Sequence, residues 1–190
     1  MANKAPINIK IGTKEEPVRF SYVNVFEPRE NQNGKLQYSA SLLIPKKYKK
    51  QIKAIEAAID EANQRGLDDL WGGKQPKFKN EVLRDGDEEY PDKPEYEGMM
   101  FISAKSDIKH QPKVVDAKLH EVMDDDQFAS GDYGRASIDF FPYDHKESKQ
   151  KGISAALGNI QVYSKGERFG GGGRSIAADF GEDSETDDLD

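Results

Sequence analysis

Apolar and polar residues alternate with a period of two over several stretches of this chain, and with a helical period over only one. Val18–Phe26 reads as a strand, with Val18, Phe20 and Tyr22 set against Arg19 and Ser21. Leu36–Ile44 reads as another, with Leu36, Tyr38, Ala40, Leu42 and Ile44 on one face and Gln37, Ser39 and Ser41 on the other. Pro28 and the pair Asn33-Gly34 lie between them, and Asn-Gly favours a tight reversal, so the two strands are expected to pair antiparallel. Pro45 then ends the strand and opens a helix. Tyr48, Ile52, Ile55, Ile59 and Ala62 recur on one helical face, and Gly66 is placed to cap its end.

The rest is strand and loop. Before Val18 the chain is polar, with one alternating patch at Ile7–Ile11. From Leu67 to Gly98 glycines and prolines break every pattern, which marks a long irregular connection of the kind that more often carries function than not. Met99–Lys105 and Lys113–Val115 read as strands, the stretch around Asp124-Asp125-Asp126 as a polar connection, and Arg135–Tyr143 as a strand. In Gly152–Tyr163 the apolar set Ile153, Ala155 and Leu157 changes parity to Ile160 and Val162, a β-bulge signature near Gly158-Asn159. The pattern predicts a mainly β protein: a small antiparallel barrel with one inserted or capping helix and long loops. The oligonucleotide-binding (OB) fold is its leading candidate.

Charge changes the picture once it is divided along the chain. The 190 residues carry a net charge of -7. From Ile176 onward there are seven acidic side chains and no Lys or Arg, so residues 1–175 are formally neutral. Within that body, residues 1–84 hold sixteen basic and ten acidic side chains, and residues 85–175 hold twelve and eighteen. The run Gly170–Gly173 precedes the acidic stretch. The expected organisation is a domain at 1–169 and a Gly-rich linker with a disordered acidic tail at 170–190. A basic half beside a detachable acidic tail suggests a polyanionic partner for which the tail competes. The absence of cysteine excludes disulfide scaffolds and thiolate chemistry. No apolar run approaches the ~18 residues of a membrane span and no signal-peptide core opens the chain, so a cytoplasmic protein is expected.

Catalytic signals are weak. His110, His120 and His145 have no metal-ligand spacing, the Asp triplet lacks the remainder of a calcium loop, and no phosphate-cradling glycine motif precedes a helix. No cofactor and no metal are expected. A metal-dependent nuclease using Asp107, Asp116 and Asp139 stays open as an alternative, as does an interaction protein with a merely solubilising tail. Binding of single-stranded nucleic acid needs only aromatic platforms for bases and cations for phosphates. Trp71 and Phe78 interleave with Lys74, Lys77 and Lys79 in the Gly/Pro-broken loop. Lys46 and Lys47 stand at the start of the helix, where with Lys49, Lys50 and Lys53 they oppose its dipole. Tyr22, Tyr38 and Arg135 complete the candidate set, although both tyrosines also fit the apolar side of their strands.

Lys151-Gly-Ile-Ser-Ala-Ala-Leu-Gly-Asn-Ile-Gln-Val-Tyr163, Gly166-Glu167-Arg168-Phe169-Gly170 and Ala177-Ala178-Asp179-Phe180 together resemble a family of tailed-phage single-stranded-DNA-binding proteins. The Arg19–Phe26 and Gln37–Ile44 pair, with its Pro45-Lys46 helix start, looks similar as well. The resemblance implies an OB barrel that coats single strands in phage replication and recombination in the host cytoplasm. It also implies a tail that contacts a polymerase, helicase or recombination protein through Asp179, Phe180, Glu182, Asp183, Asp187, Asp188 and Leu189. A homodimer is left open.

Overall fold

The computed structural model describes residues 4–169. Nine strands are present among them: β1 (Ile7–Ile11), β2 (Val18–Glu30), β3 (Leu36–Pro45), β4 (Arg84–Asp85), β5 (Met99–Asp107), β6 (Val114–Val115), β7 (Glu121–Val122), β8 (Tyr133–His145) and β9 (Gln150–Ser164). Helix α1 (Lys49–Asp69) lies between β3 and β5, followed by the single turn α2 (Gly86–Glu89) and a 3-10 turn at Pro94–Tyr96.

The pairings close a ring. β8 pairs with β2, β2 with β3, β3 with β5, β5 with β9, and β9 returns to β8. All are antiparallel except β5 with β9, which run parallel and are joined by the single pair Lys105 and Ala156. β6 also runs parallel to β9. The sheet is therefore mixed, where the alternation alone predicted an antiparallel one, because strand direction leaves no mark on a period of two. β1 adds to the outside edge through β8. The Asn33-Gly34 reversal joins β2 and β3 as expected: the Asn31 Oδ1 accepts the Asn33 and Lys35 amides at 2.9 and 3.0 Å, and Gly34 takes φ 75°. The bulge in β9 is also present: Ala136 pairs with Ile160 but Ile138 with Leu157, so two steps on β8 face three on β9.

Phe20, Leu42, Ile44, Ile102, Ala104, Ile138, Phe140 and Leu157 fill the inside of the ring. Helix α1 packs on β1 and β8 and adds Ile55 and Ala62 to the same core. Its first turn carries no acidic residue and Tyr48 makes no side-chain cap, so packing of the apolar face holds it in place.

Gly66 does not end the helix. It lies buried inside α1, where the carbonyl accepts the Leu70 and Trp71 amides, and the missing side chain is what matters. A Cβ there would stand 2.5 Å from the Trp71 ring. Trp71 is itself only 5% exposed; its indole N–H donates to the Tyr143 carbonyl at 3.2 Å and its ring meets Phe78 edge-on at 5.6 Å. The long connection after the helix is thus pinned to β8 by one aromatic anchor.

A helix-interior alanine normally gains about 1 kcal/mol over glycine. At this position overpacking against Trp71 outweighs that gain. Gly66→Ala is expected to destabilise the protein by about 1–3 kcal/mol in a chemical-denaturation curve.

Candidate nucleic-acid interface

Alternation puts every second residue of β2, β3 and β5 on the outside of the ring. The register aligns these outward residues into rows. Arg19, Leu43 and Phe101 form one row, Ser21, Ser41 and Ser103 the next, and Asn24, Ser39 and Lys105 a third. The middle row is a strip of small hydroxyls in which Ser41 Oγ and Ser103 Oγ stand 3.1 Å apart. Of the three, Ser21 and Ser41 are buried and Ser103 is exposed.

Segment 84–98 crosses this face. Tyr96 is buried on it, sealed by Leu43 and Phe101, and its hydroxyl donates to Ser21 Oγ at 3.4 Å. Burial raises the Tyr96 phenol above its ordinary value. Tyr90 lies tilted over Tyr96 and Phe101 at 4.7 and 5.4 Å. The ammonium of Lys93 then sits 4.6 Å from the Tyr90 ring and 4.7 Å from the Tyr22 ring, and donates to the Tyr22 hydroxyl. Tyr22 is exposed and held at φ 48° where the β2–β3 register slips, which turns its ring out from the strand. For a bulky aromatic residue this backbone is a genuine outlier. The Arg84 guanidinium covers Phe101 at 5.3 Å, and that of Arg19 lies 4.1 Å from Phe169 and 5.1 Å from Tyr133.

The resulting face sets exposed Tyr22 and half-buried Tyr90 among the cations of Arg19, Arg84 and Lys93, with Tyr96 and Phe101 buried beneath them. Bases stack on such planes and phosphates pair with such cations.

The segment that crosses the face is acidic, with seven Asp and Glu between 85 and 97 against the single Lys93. Lys46 clamps its near end, bonding Asp85 at 2.8 Å and Asp87 at 2.7 Å. Those bonds from the ammonium hold both carboxyls below the ordinary carboxylate value and raise Lys46 above that of lysine.

The residues singled out by sequence divide differently. Trp71 and Tyr38 are buried, at 5% and 8% exposure, so neither presents a ring face to a base. Phe78 is half-buried against the core. Lys46 is committed to its two aspartates, while Lys47, Lys74, Lys77 and Lys79 are exposed. Arg135 is outward on β8, donating to Gln161 Oε1 at 2.9 Å. Tyr22 stands in the aromatic face. Arg19, Arg84, Tyr90, Lys93, Tyr96 and Phe101 escaped sequence reasoning; the one signal was a pair of tyrosines in an acidic loop. Asp107, Asp116 and Asp139 do not assemble into a site, and no group of three or more potential ligands able to hold a metal exists among the described residues. The tail residues Asp179–Leu189 lie outside the described residues.

A ring of strands with an aromatic and cationic outer face defines a candidate oligonucleotide binder. The model of the family described as the ssDNA-binding protein of Enterobacter phage Enc34 matches residues 9–190, and the chain belongs to that family. It is 32% identical over 174 residues to putative protein p50 of Acyrthosiphon pisum secondary endosymbiont phage 1, covering 86% of this chain and 89% of the relative. Among solved structures, it is similar to the single-stranded DNA-binding protein of bacteriophage Enc34 in complex with ssDNA. That match has a TM-score of 0.74 and 26% identity, covering 89% of this chain and 97% of the other. Gp2.5, a single-stranded DNA binding protein encoded by bacteriophage T7, shares the fold at a TM-score of 0.60 and 18% identity over 95% of this chain and 97% of its own. No helix among the described residues is long and apolar enough to cross a membrane.

The Lys46 clamp has a defined pH window. The two aspartates have lowered values, so their contribution is complete above the ordinary 3.8 and is lost as pH falls through the folded-state values. Lys46 is raised, so its contribution is complete below 10.5 and is lost as pH rises through its folded value. Amide protection factors across 84–98, taken relative to the intrinsic exchange rate at each pH, are expected to fall on acidification below that carboxylate range. In Lys46→Met the segment should already exchange faster at neutral pH and respond less to acid.

Proposed function

We propose that this chain is a non-enzymatic, sequence-tolerant single-stranded-DNA-binding protein of the OB-fold type, serving phage DNA replication and recombination in the host cytoplasm. The ring order β8-β2-β3-β5-β9, closed by one parallel pair, is the connectivity expected of an OB barrel, here with helix α1 inserted between β3 and β5. The observation that carries the reading is the outer face of β2, β3 and β5. There exposed Tyr22 and half-buried Tyr90 lie among Arg19, Arg84 and Lys93, in a chain whose structural relative is in complex with ssDNA. Tyr22 is the exposed stacking platform. Arg19, Lys93 and Lys105 receive phosphates, with Arg135, Lys47 and Lys74 as outlying cations.

The acidic tail competes with DNA for this face and recruits a polymerase, helicase or recombination protein through Asp179, Phe180, Glu182, Asp183, Asp187, Asp188 and Leu189. Its point of departure supports the competition. Phe169 rests on the Arg19 guanidinium and on the Leu43, Tyr96 and Phe101 cluster, so the residue that precedes the glycine run lies at the edge of the aromatic face.

A salt-dependent gel shift comparing single-stranded with double-stranded DNA tests the reading. Preferential single-strand retention that weakens with salt is expected, and no single-strand binding at low salt sinks it. Tyr22→Ala should weaken binding by about 1–3 kcal/mol, the value of one stacked base, without changing the salt slope. Deleting 176–190 should tighten DNA binding; unchanged affinity removes the competitor role.

A further inference from the structure

The loop that sequence reasoning marked as a stacking platform has a different geometry. Phe78 turns inward onto Trp71, and Trp71 is fixed to the Tyr143 carbonyl, so the flanking Lys77 and Lys79 both face solvent. The tip of the β8–β9 hairpin comes up beside them. Pro76, Lys77, Lys79, Lys149, Gln150 and Lys151 line one groove, and none of them belongs to the aromatic face. Two segments about seventy residues apart in sequence thus bring four lysines to the walls of one cleft.

The convergence is costly, and little offsets it. Four like charges repel at close quarters, and the hairpin places Lys149 at φ 56°, where a lysine is strained and a glycine or asparagine is the ordinary occupant. Lys151 has one carboxylate neighbour, Asp144 at 3.6 Å. Lys77, Lys79 and Lys149 have no ion-pair partner among the described residues. The Trp71 anchor on one wall and the β8–β9 ladder on the other hold the groove in place before any ligand arrives, so a polyanion entering it meets preorganised charge. The groove holds no aromatic plane, so its chemistry is that of phosphate recognition alone.

We infer that this lysine groove is a separate seat for the phosphodiester backbone of single-stranded DNA, gripping a stretch of strand beyond the one whose bases stack on the aromatic face. The inference rests on the single-stranded-DNA reading above. A short strand fills the aromatic face only, whereas a long one reaches both.

The test is the full chain with Lys77, Lys79, Lys149 and Lys151 all replaced by Gln. All four side chains lie at the surface or half-buried at its edge, and an unchanged thermal melt verifies folding. Oligodeoxythymidylates of about 5 and about 16 nucleotides, spanning the range of strand that one OB domain covers, are titrated across a salt series. With the long strand the variant is expected to lose at least about tenfold in affinity at low salt and to lower the salt slope by about 2–3, near 0.7 per lost phosphate contact. With the short strand its affinity should match the parent. In the parent protein, the long strand alone should protect these four lysines from acetylation. Equal slopes and affinities for variant and parent with the long strand overturn the groove and leave the DNA-binding reading standing. Failure of the parent to bind either strand overturns both.

Discussion

Closing a sheet on itself sorts every strand residue to one of two sides, and most of this protein follows from that sorting. The inside of the ring is narrow and must be filled by apolar side chains, which commits Phe20, Leu42, Ile102 and Ile138 to the core. Their neighbours are then forced outward, and on β2, β3 and β5 they are serines, arginine, lysine and two aromatic-cluster residues. The outer rows owe their alignment to the same register that packs the interior. A slip of one residue in β3 would exchange the core for the face.

That sorting explains what could be read from the chain alone. Tyr38 shares parity with Ala40 and Leu42, so its place in the core was written in the alternation. Tyr22 shares the same parity with Phe20, yet points out, because the backbone turns over at φ 48° and resets the phase. Nothing in a period-two pattern announces such a turnover in the middle of a strand. The bulge in β9 was legible because apolar residues lie on both sides of it and record the change of parity. The parallel direction of the closing pair was not, since parallel and antiparallel partners impose the same alternation.

The loop from 70 to 98 was the hardest part to read, and for a specific reason. Aromatic residues surrounded by lysines, glycines and prolines look like exposed platforms, but an aromatic ring supplies a large apolar area that a small fold can use as a fastening. Trp71 is such a fastening, seated in the notch left by Gly66. The same loop then runs on with Tyr90 and Tyr96 across the outer face of β2, β3 and β5, fastening an acidic segment over Ser21 and Ser41. One connection therefore shapes both charged surfaces: it sets two lysines at the hairpin tip and lays seven carboxylates beside the stacking face.

Asp132 ties the segment after β9 to the rest of the fold. Its carboxylate is fully buried and accepts the Ala129 amide at 3.0 Å, the Gly166 amide at 3.2 Å and the Lys165 ammonium at 3.2 Å, with Arg168 3.8 Å away. Gly166 crosses Gly131 so closely that neither has room for a side chain. The five residues after β9 are therefore a keel, and they belong to the ring as much as any strand. A chain shortened after Phe169 keeps every partner of that carboxylate. One shortened before Lys165 strands a buried charge, a loss on the order of 3–5 kcal/mol, and would fail by unfolding before any effect on the acidic tail could be observed.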